Sequence, residues 1–427
     1  MNDPVQKSTL DNGLRVVTVE LPHLHTGMIA AYVRCGSRHE DAARNGVSHF
    51  LEHLFFRGSE GYPEGRLMNA LVEDCGGALN GVTTRDHGYY FSPVHPSRLE
   101  VPMAVLGDML ARPLFKEIEL EREVILEEIL DEVDEKGRDI DVDNLAKAAH
   151  FPRHPLGMKI AGSRETVSAL TEADLRAQHA RAYGARNMVL SCAGAVKHEQ
   201  VVRLAREHFG RLPAGEWLHE PPLDGTPDGP QLVAVDHTES QMEVQVSFRG
   251  PPEEHADFPA LRVIKRVLDD GLASRLQLNL VERKALAYSV GAGMDGFSDV
   301  SLFEAGCACA PRKAPDAMAE MLRLLGELRD TDVPDDELQR AKKKTRIWLE
   351  FSLDAPSEMI GWFGSGELLH PPAESFQSWL DRIERVTAAD VRRVASQIFR
   401  RDRLVAVAVG PQKGVQRRLR DVAESAL

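Results

Sequence analysis

Apolar and polar residues follow strand spacing and helix spacing in turn along the first half of the chain. After the turn signal at 11–13, β-branched residues alternate with polar ones, and residues 28–35 give a second strand pattern closed by Gly36. Residues 46–56 have the apolar stripe of a helix, and residues 78–93 predict paired strands. This mixture predicts an α+β fold with helices packed on mixed or antiparallel sheets.

An acidic helix and a helix–strand unit complete the first half. Residues 117–136 predict a long helix that is rich in carboxylates. Residues 171–183 predict a further helix, and residues 188–193 form an apolar run of the length expected for a buried strand.

A Pro- and Gly-rich segment then interrupts the periodic pattern. Residues 213–231 contain few apolar residues at regular spacing, which is typical of a linker between domains. Strand patterns resume at 232–235 and 242–249, and helices follow. The sequence therefore predicts an N-terminal domain at 1–212 and a C-terminal domain at 232–427.

The two halves also share an internal repeat. Residues 170–194 and residues 386–410 align without a gap, so that Thr171 pairs with Thr387 and each copy ends in Gly. Each copy predicts a Thr-capped helix followed by an apolar strand. Two generic helix–strand units are the alternative, but the agreement favours duplication and two half-domains of similar fold related by pseudosymmetry. A concave space between such halves is a natural substrate site.

The amino-acid composition and the net charge limit the classes of protein to which the chain can belong. The chain has 427 residues, of which 43% are hydrophobic and 28% charged, as in a soluble globular protein. No apolar stretch is long enough for a membrane span, and the N-terminus lacks the pattern of a secretory signal, so we expect a cytoplasmic protein. The formal net charge of −14 argues against nucleic-acid binding.

The five cysteines give no disulfide framework. Cys35, Cys75 and Cys192 are isolated, whereas Cys307 and Cys309 form a CxC pair within an apolar, strand-like run. The pair is a possible metal site, but cysteines at alternate positions are more typical of one side of a buried strand.

The chemistry is concentrated in the helix at 46–56. His49 and His53 are four residues apart, so both imidazoles lie on one helix face and can bind one zinc ion. Glu52 lies beside them, where its carboxylate can accept a proton from a metal-bound water. This HxxEH order is the inverse of the commoner HExxH motif. A core helix with backbone-bonded histidines is the alternative, but burying these polar groups without a metal is unfavourable.

A catalytic zinc site needs a third protein ligand and an open position. The acidic helix at 117–136 offers several carboxylates. Glu121 and Glu128 are two helical turns apart and share a face, whereas Glu127 points elsewhere. The residues alone do not select among them.

Several motifs together resemble the pitrilysin–insulysin family of inverted zinc peptidases, and in particular its short members, which include bacterial processing-type peptidases and the mitochondrial processing peptidase. The motifs are GVSHFLEHLFFRGS, GGALNGVTTRDHGYYF, EREVILEEILDEVD and the closing helix–strand unit. The resemblance covers almost the whole chain. It implies that His49, His53 and Glu128 bind one zinc ion, that Glu52 is the general base and that Glu121 is a supporting carboxylate near the metal.

The resemblance also implies where substrate binds. Ala78, Leu79 and Asn80 match the edge strand that pairs with an extended peptide, and pairing of this kind reads the peptide backbone. Active members carry an Arg seven residues before a Tyr, and both contact substrate. Tyr288 is present here, but Val281 occupies the Arg position.

The missing Arg suggests a partner. We expect this chain to be the zinc-bearing subunit of a two-chain clamshell endopeptidase, in which a related chain supplies the Arg–Tyr arm. A homodimer is the alternative. Two other hypotheses remain. One is a non-catalytic structural or assembly subunit, which Val281 favours. The other is a purely structural zinc site, which needs four protein ligands.

Overall fold

The computed structural model describes residues 5–223, 225 and 229–425. These residues form two compact units, and each unit draws on separate stretches of the chain. The first comprises the described residues of 1–129, 158–222 and 348–377, and the second those of 130–157, 223–347 and 378–427. Part of the predicted linker 213–231 lies outside the described residues, and the domain boundary placed there stays a prediction.

The first unit is built on a six-stranded mixed sheet with the strand order β1-β2-β6-β3-β5-β4. Only β2 and β6 pair in parallel; the other neighbours are antiparallel. The strands are β1 (Val5–Thr9), β2 (Arg15–Glu20), β3 (Gly27–Val33), β4 (Asn80–Thr83), β5 (Gly88–Val94) and β6 (Met188–Gly194).

The second unit repeats this topology without the first strand. Its sheet has the order β7-β11-β8-β10-β9, and only β7 and β11 pair in parallel. The strands are β7 (Gln231–Asp236), β8 (Met242–Gly250), β9 (Ser289–Gly296), β10 (Ser301–Cys309) and β11 (Val405–Gly410).

Helices pack on both sheets. In chain order they are α1 (Val47–Phe55), α2 (Gly65–Glu73), α3 (Glu100–Ala111), α4 (Ile118–Leu130), α5 (Val142–His150), α6 (Arg164–Ala169), α7 (Glu172–Ala182), α8 (His198–Phe209), α9 (Phe258–Leu268), α10 (Ala314–Asp330), α11 (Asp335–Leu353), α12 (Pro356–Ile360), α13 (Gly366–Leu369), α14 (Phe376–Arg385), α15 (Ala388–Ile398) and α16 (Gln416–Ser425). Two π-helical turns lie at Gln277–Arg283 and Gly361–Ser365.

The sequence repeat corresponds to one structural unit that occurs twice. Thr171 and Thr387 each cap a helix, α7 and α15, in a reciprocal capping box with the Asp three residues later. The strands that follow, β6 and β11, are buried along their whole length because both lie inside their sheets. Each ends in Gly194 or Gly410 at φ 125° and 139°, a conformation that favours glycine. The predicted α+β fold with two similar halves is confirmed.

The segment 348–377 covers one face of the first sheet. Its Gly364 lies so close to the sheet that an added Cβ would be 2.5 Å from the ring of Tyr32 on β3. The guanidinium of Arg34 donates to the carbonyl of Leu368 at 2.8 Å. Residues far apart in sequence therefore complete the packing of the first unit.

The predicted acidic helix at 117–136 is too long. Helix α4 ends at Leu130. Beyond it Asp134 accepts hydrogen bonds from the backbone N–H groups of Lys136 and Arg138, at 2.9 and 2.8 Å. Carboxylates compete in this way with the helical backbone and favour turns.

Within the described part of the chain, no helix is both long and apolar enough to cross a membrane. Cys307 and Cys309 are free and buried on β10, as the alternating pattern predicts.

Candidate metal centre

Helix α1 presents two imidazoles on one face. Phe50, Leu51 and Leu54 are fully or almost fully buried in the core of the first unit, and they fix the rotation of the helix. His49 and His53 therefore emerge together, with ring centroids 4.7 Å apart and less than a fifth of each side chain exposed. The four-residue spacing places them as predicted.

The start of α1 is held by a buried carboxylate that the sequence analysis missed. Gly46 provides no side-chain cap, and Glu40 takes this role. Its carboxylate accepts hydrogen bonds from the backbone N–H groups of Gly46 and Ser48, each at 2.8 Å, and from the Asn45 amide at 2.9 Å. Burial raises the pKa of Glu40, and these hydrogen bonds oppose the rise. They satisfy helix N–H groups that otherwise lack partners.

The same segment also anchors the turn between β4 and β5. The backbone N–H of Ser37 donates to the carbonyl of Thr84 at 3.3 Å, and that of Arg38 donates to Arg85 at 3.0 Å. The buried Arg38 guanidinium pairs with Asp86 at 2.7 Å. A short stretch of chain thus fixes helix α1 and the neighbouring β4–β5 hairpin together.

Three potential ligand atoms converge at the exposed face of α1. The Glu128 Oε2 lies 3.7 Å from His49 Nε2 and 3.5 Å from His53 Nε2, and all three atoms lie within 4.8 Å of one another. Tetrahedral zinc with bonds of about 2.1 Å separates its ligand atoms by roughly 3.4 Å, so the donor set fits this ion. Burial lowers the pKa of His49 to about 4, and the nearby His53 adds to this effect, so His49 is neutral, as a ligand must be.

Glu121 orients His53. Its Oε2 lies 2.9 Å from His53 Nδ1, and its other oxygen accepts from the Arg57 guanidinium. Arg57 also reaches Glu117 at 3.3 Å. Because a carboxylate beside Nδ1 places the ring proton there, the lone pair of Nε2 points to Glu128 and the candidate metal position.

Glu52 lies between this group and the edge strand. Its carboxylate accepts a hydrogen bond from the hydroxyl of Thr83 on β4. Burial raises the pKa of Glu52, and the Thr83 hydrogen bond opposes the rise. Gly81 permits this close packing, because an added Cβ there would lie 2.9 Å from Glu52 Cγ. A partly buried carboxylate with a raised pKa is suited to accept a proton.

An open cavity of about 560 Å³ adjoins Glu52 and His53. Phe56 contributes an apolar surface to it, and the α2 residues Arg66 and Asn69 contribute polar groups. The cavity therefore provides space for a substrate next to the three converging side chains.

The predicted substrate strand lies at the edge of the first sheet. Strand β4 begins at Asn80, and Ala78 and Leu79 immediately precede it. Tyr288 belongs to the second unit, where it precedes β9 and is 68% exposed. Val281, at the position of the expected Arg, lies in a π-helical turn of that unit.

A second group of acidic side chains lies in the second unit. Oxygens of Asp143, Asp295 and Glu304 come within 4.8 Å of one another. The buried Lys147 ammonium pairs with all three, at 2.5 Å from Asp295 and 3.5 Å from Glu304. The protein itself therefore supplies the cation for this group.

Sequence comparison assigns the chain to a family. Residues 15–164 match the family model described as Insulinase (Peptidase family M16), and residues 169–345 match that of the Peptidase M16 inactive domain. The chain belongs to peptidase family M16. The resemblance drawn from the motifs is thereby confirmed.

Relatives within the M16 family span nearly the whole chain. It is 32% identical over 425 residues to a protein of Mycobacterium leprae named as an uncharacterized zinc protease, covering 97% of this chain and 94% of the relative. It is 30% identical to a protein of Schizosaccharomyces pombe named as a probable mitochondrial-processing peptidase subunit beta, covering 96% and 92%. A crystal structure of a Helicobacter pylori protease has the same fold, with a TM-score of 0.89 at 23% identity over 96% of this chain and all of that one.

Proposed function

We propose that this M16 protein is a zinc-dependent endopeptidase that hydrolyses peptides or unfolded segments. The observation that carries the proposal is the convergence of His49, His53 and Glu128 beside a partly buried Glu52. Two imidazoles and one carboxylate form a typical donor set of catalytic zinc sites, and three protein ligands leave a position for water or substrate. The names of the relatives are consistent with zinc.

Each side chain of the centre has a distinct role in this proposal. One zinc ion per chain would supply Lewis acidity, which lowers the pKa of water and polarises a carbonyl. Glu52 accepts the proton of the attacking water and returns it to the leaving amine. Glu121 holds the His53 ring by its hydrogen bond to Nδ1, so that Nε2 keeps its orientation during turnover.

Strand β4 is the proposed peptide-binding element. It is an edge strand, so its outer backbone groups are available to pair with an extended substrate. In this proposal Ala78, Leu79 and Asn80 bind the substrate peptide at the start of the strand. The contacts of β4 with Glu52, through Thr83 and Gly81, hold that edge next to the general base. Backbone pairing would make cleavage depend on an extended substrate more than on its sequence.

The substitution Glu52→Gln tests the mechanism. Glu52 is not one of the proposed ligands, so we expect zinc content near one per chain and a loss of cleavage of at least a thousand-fold. The measurement is elemental analysis beside hydrolysis of an unstructured fluorogenic peptide. Retained turnover in this variant would refute Glu52 as the base.

We also propose that the active form contains a second, related chain. Val281 leaves Tyr288 without the Arg that accompanies it in active members of the family. The S. pombe relative is named as one subunit, which is in line with a two-chain enzyme. A tagged chain should co-purify an untagged relative that has the Arg and lacks HxxEH, and activity should rise when the two are combined. Full activity of the isolated chain would contradict the heterodimer; a homodimer is the alternative.

A non-catalytic structural or assembly subunit is the second candidate function. Val281 favours it, and so does the match of residues 169–345 to a model described as an inactive domain. This candidate requires that no member of a peptide library is cleaved, with or without a partner chain, although zinc is bound.

A further inference from the structure

The first sheet carries a row of aromatic rings on the face away from helix α1. Tyr90 on β5 packs edge-on against Phe55 of α1, with ring centroids 5.2 Å apart. Side chains alternate along a strand, so the neighbouring Tyr89 and Phe91 point to the opposite face. There Tyr89 stacks on Phe91 at 5.5 Å and on Tyr32 of β3 at 5.3 Å.

A helical segment closes over these rings but leaves space. It contains the π-helical turn Gly361–Ser365, and such turns are frequent at functional sites. Gly364 contacts the Tyr32 ring directly, whereas an added Cβ at Gly361 would meet no atom within 4 Å. Between the rings and this segment lies a cavity of about 300 Å³, to which Met28 and Ile360 contribute apolar surface. The cavity is open to solvent, so a small ring can enter it.

The cavity is lined by polar but uncharged side chains as well as apolar ones, and the polar residues are Tyr32, His87, Tyr89, Ser357 and Ser365. Tyr32 is only 3% exposed and lines the cavity, and its hydroxyl makes no hydrogen bond within the described residues. A hydroxyl without a protein partner is available to donate a hydrogen bond to, or accept one from, a polar atom of a ligand. His87 also lines the cavity, and burial lowers its pKa to about 4, so its ring is neutral. No Asp, Glu, Lys or Arg lines the cavity among the described residues.

We propose that this cavity is a binding site for a single aromatic ring that bears a hydroxyl group, such as the side chain of tyrosine. The stacked rings of Tyr32 and Tyr89 provide a flat apolar wall, and the free Tyr32 hydroxyl provides the hydrogen-bonding partner. Because the described lining residues carry no charge, the cavity favours an uncharged ligand. The ring can come from a small molecule or from a residue of a peptide. The site is separate from the metal centre and does not depend on peptidase activity.

Titration of the full chain with 4-methylphenol tests the site. We expect saturable binding, followed by calorimetry and saturation-transfer NMR. Gly361→Leu places a side chain in the cavity and should weaken binding at least ten-fold, whereas the matched control Gly361→Ala should stay within two-fold. Tyr32→Phe removes only the hydroxyl and should weaken binding about two- to ten-fold. Unchanged unfolding midpoints and zinc contents establish that the variants are folded.

A second titration distinguishes the source of the ring. An acetylated, amidated pentapeptide with a central Tyr is compared with the same peptide with Phe or Ala at that position, on Glu52→Gln protein that cannot cleave it. Tighter binding of the Tyr peptide than of 4-methylphenol identifies a peptide residue as the ligand, and weaker binding identifies a small molecule. The proposal is overturned if wild-type protein shows no saturable binding of 4-methylphenol, or if Gly361→Leu binds it as well as wild type, because the cavity then holds only water.

Discussion

Each unit contains three side chains whose potential metal-binding atoms converge, but the two groups differ in whether a Lys or Arg side chain pairs with them. In the first unit, His49, His53 and Glu128 converge, and no Lys or Arg side chain pairs with Glu128 among the described residues. In the second unit, three carboxylates converge on the Lys147 ammonium, which is 1% exposed. The first group lacks a cation and the second contains one. Proximity of acidic groups is therefore a poor indicator of a metal site unless the cations of the protein are also counted.

The helix that follows the corresponding strand also differs between the two units. After β3 the first unit has α1 with the HxxEH motif, and after β8 the second has α9, whose polar residues are Arg262, Lys265 and Arg266. The strand order and the capped helix–strand repeat are nevertheless shared. A common scaffold thus carries the proposed metal ligands in one copy and basic residues in the other, in line with the rule that chemistry depends on the site and not on the fold.

The largest expected effect comes from removing the carboxylate that lacks a protein cation. Glu128→Gln should abolish stoichiometric zinc binding and reduce peptide cleavage by at least a thousand-fold, because two imidazoles alone hold zinc weakly. Glu127→Gln, on the exposed side of the same helix, is the matched control and should retain both properties. Elemental analysis and the fluorogenic assay measure them. Full zinc content in Glu128→Gln would show that the third ligand is a residue other than Glu128.

A smaller effect is expected from Glu121→Gln, which leaves the three proposed ligands intact. Loss of the charge beside His53 Nδ1 should weaken zinc binding by about 10- to 100-fold, as for other residues that orient metal ligands. Competition with a chelator measures the affinity. A zinc affinity equal to that of wild type would indicate that Glu121 pairs with Arg57 but does not support zinc binding through His53.

The charged group of the second unit should respond to pH instead of metal. Burial raises the pKa of Glu304 to about 7, and Lys147 opposes the rise. A carboxyl whose pKa is higher in the folded state stabilises the protein below its unfolded pKa and loses this contribution as pH rises through the folded value. Between pH 4.5 and 7 the wild type should therefore lose on the order of 2 kcal/mol that Glu304→Gln does not lose.

Urea unfolding of the full chain at pH 5 and pH 8 measures this difference, with amide exchange of β10 reporting on the second unit. Glu243→Gln, on the exposed side of β8, is the control. Equal pH dependence of wild type and Glu304→Gln would contradict the prediction.

The smallest effects compare the two copies of the repeat. Thr171→Ala and Thr387→Ala each remove the side-chain acceptor of a capping box and should each cost about 1 kcal/mol of unfolding free energy. Serine at either position should restore most of the loss. A difference of more than about 1 kcal/mol between the two would indicate that the copies no longer contribute equally.

The residues that the sequence identified are those with a short-range pattern. The four-residue spacing of His49 and His53, the repeat and the buried cysteine strand all depend on periodicity, which the backbone geometry enforces. Glu128 was selected only through the family resemblance, because Glu121 shares its helix face. The structure now separates them: Glu128 faces both Nε2 atoms, and Glu121 faces Nδ1 of His53.

Features that depend on distant parts of the chain had no local signal. Glu40 caps α1 from outside the usual capping position, so the sequence rules for helix starts do not detect it. The predicted helix continued to residue 136, whereas α4 ends at Leu130 and Asp134 accepts backbone hydrogen bonds in the turn that follows. The aromatic cavity likewise requires residues of β3 and β5 to meet a segment more than 250 residues later in the sequence.

The position of residues 348–377 affects the order of events during synthesis on the ribosome. All six strands of the first sheet, and all three proposed zinc ligands, lie before residue 195. The helices that cover the Tyr32 face emerge only after residue 347. The nascent chain therefore contains the three proposed zinc ligands long before that face is shielded, and during the interval its aromatic surface is available to chaperones. The proposed zinc site would have all its protein ligands early in translation, whereas the first unit becomes complete only when most of the polypeptide has been made.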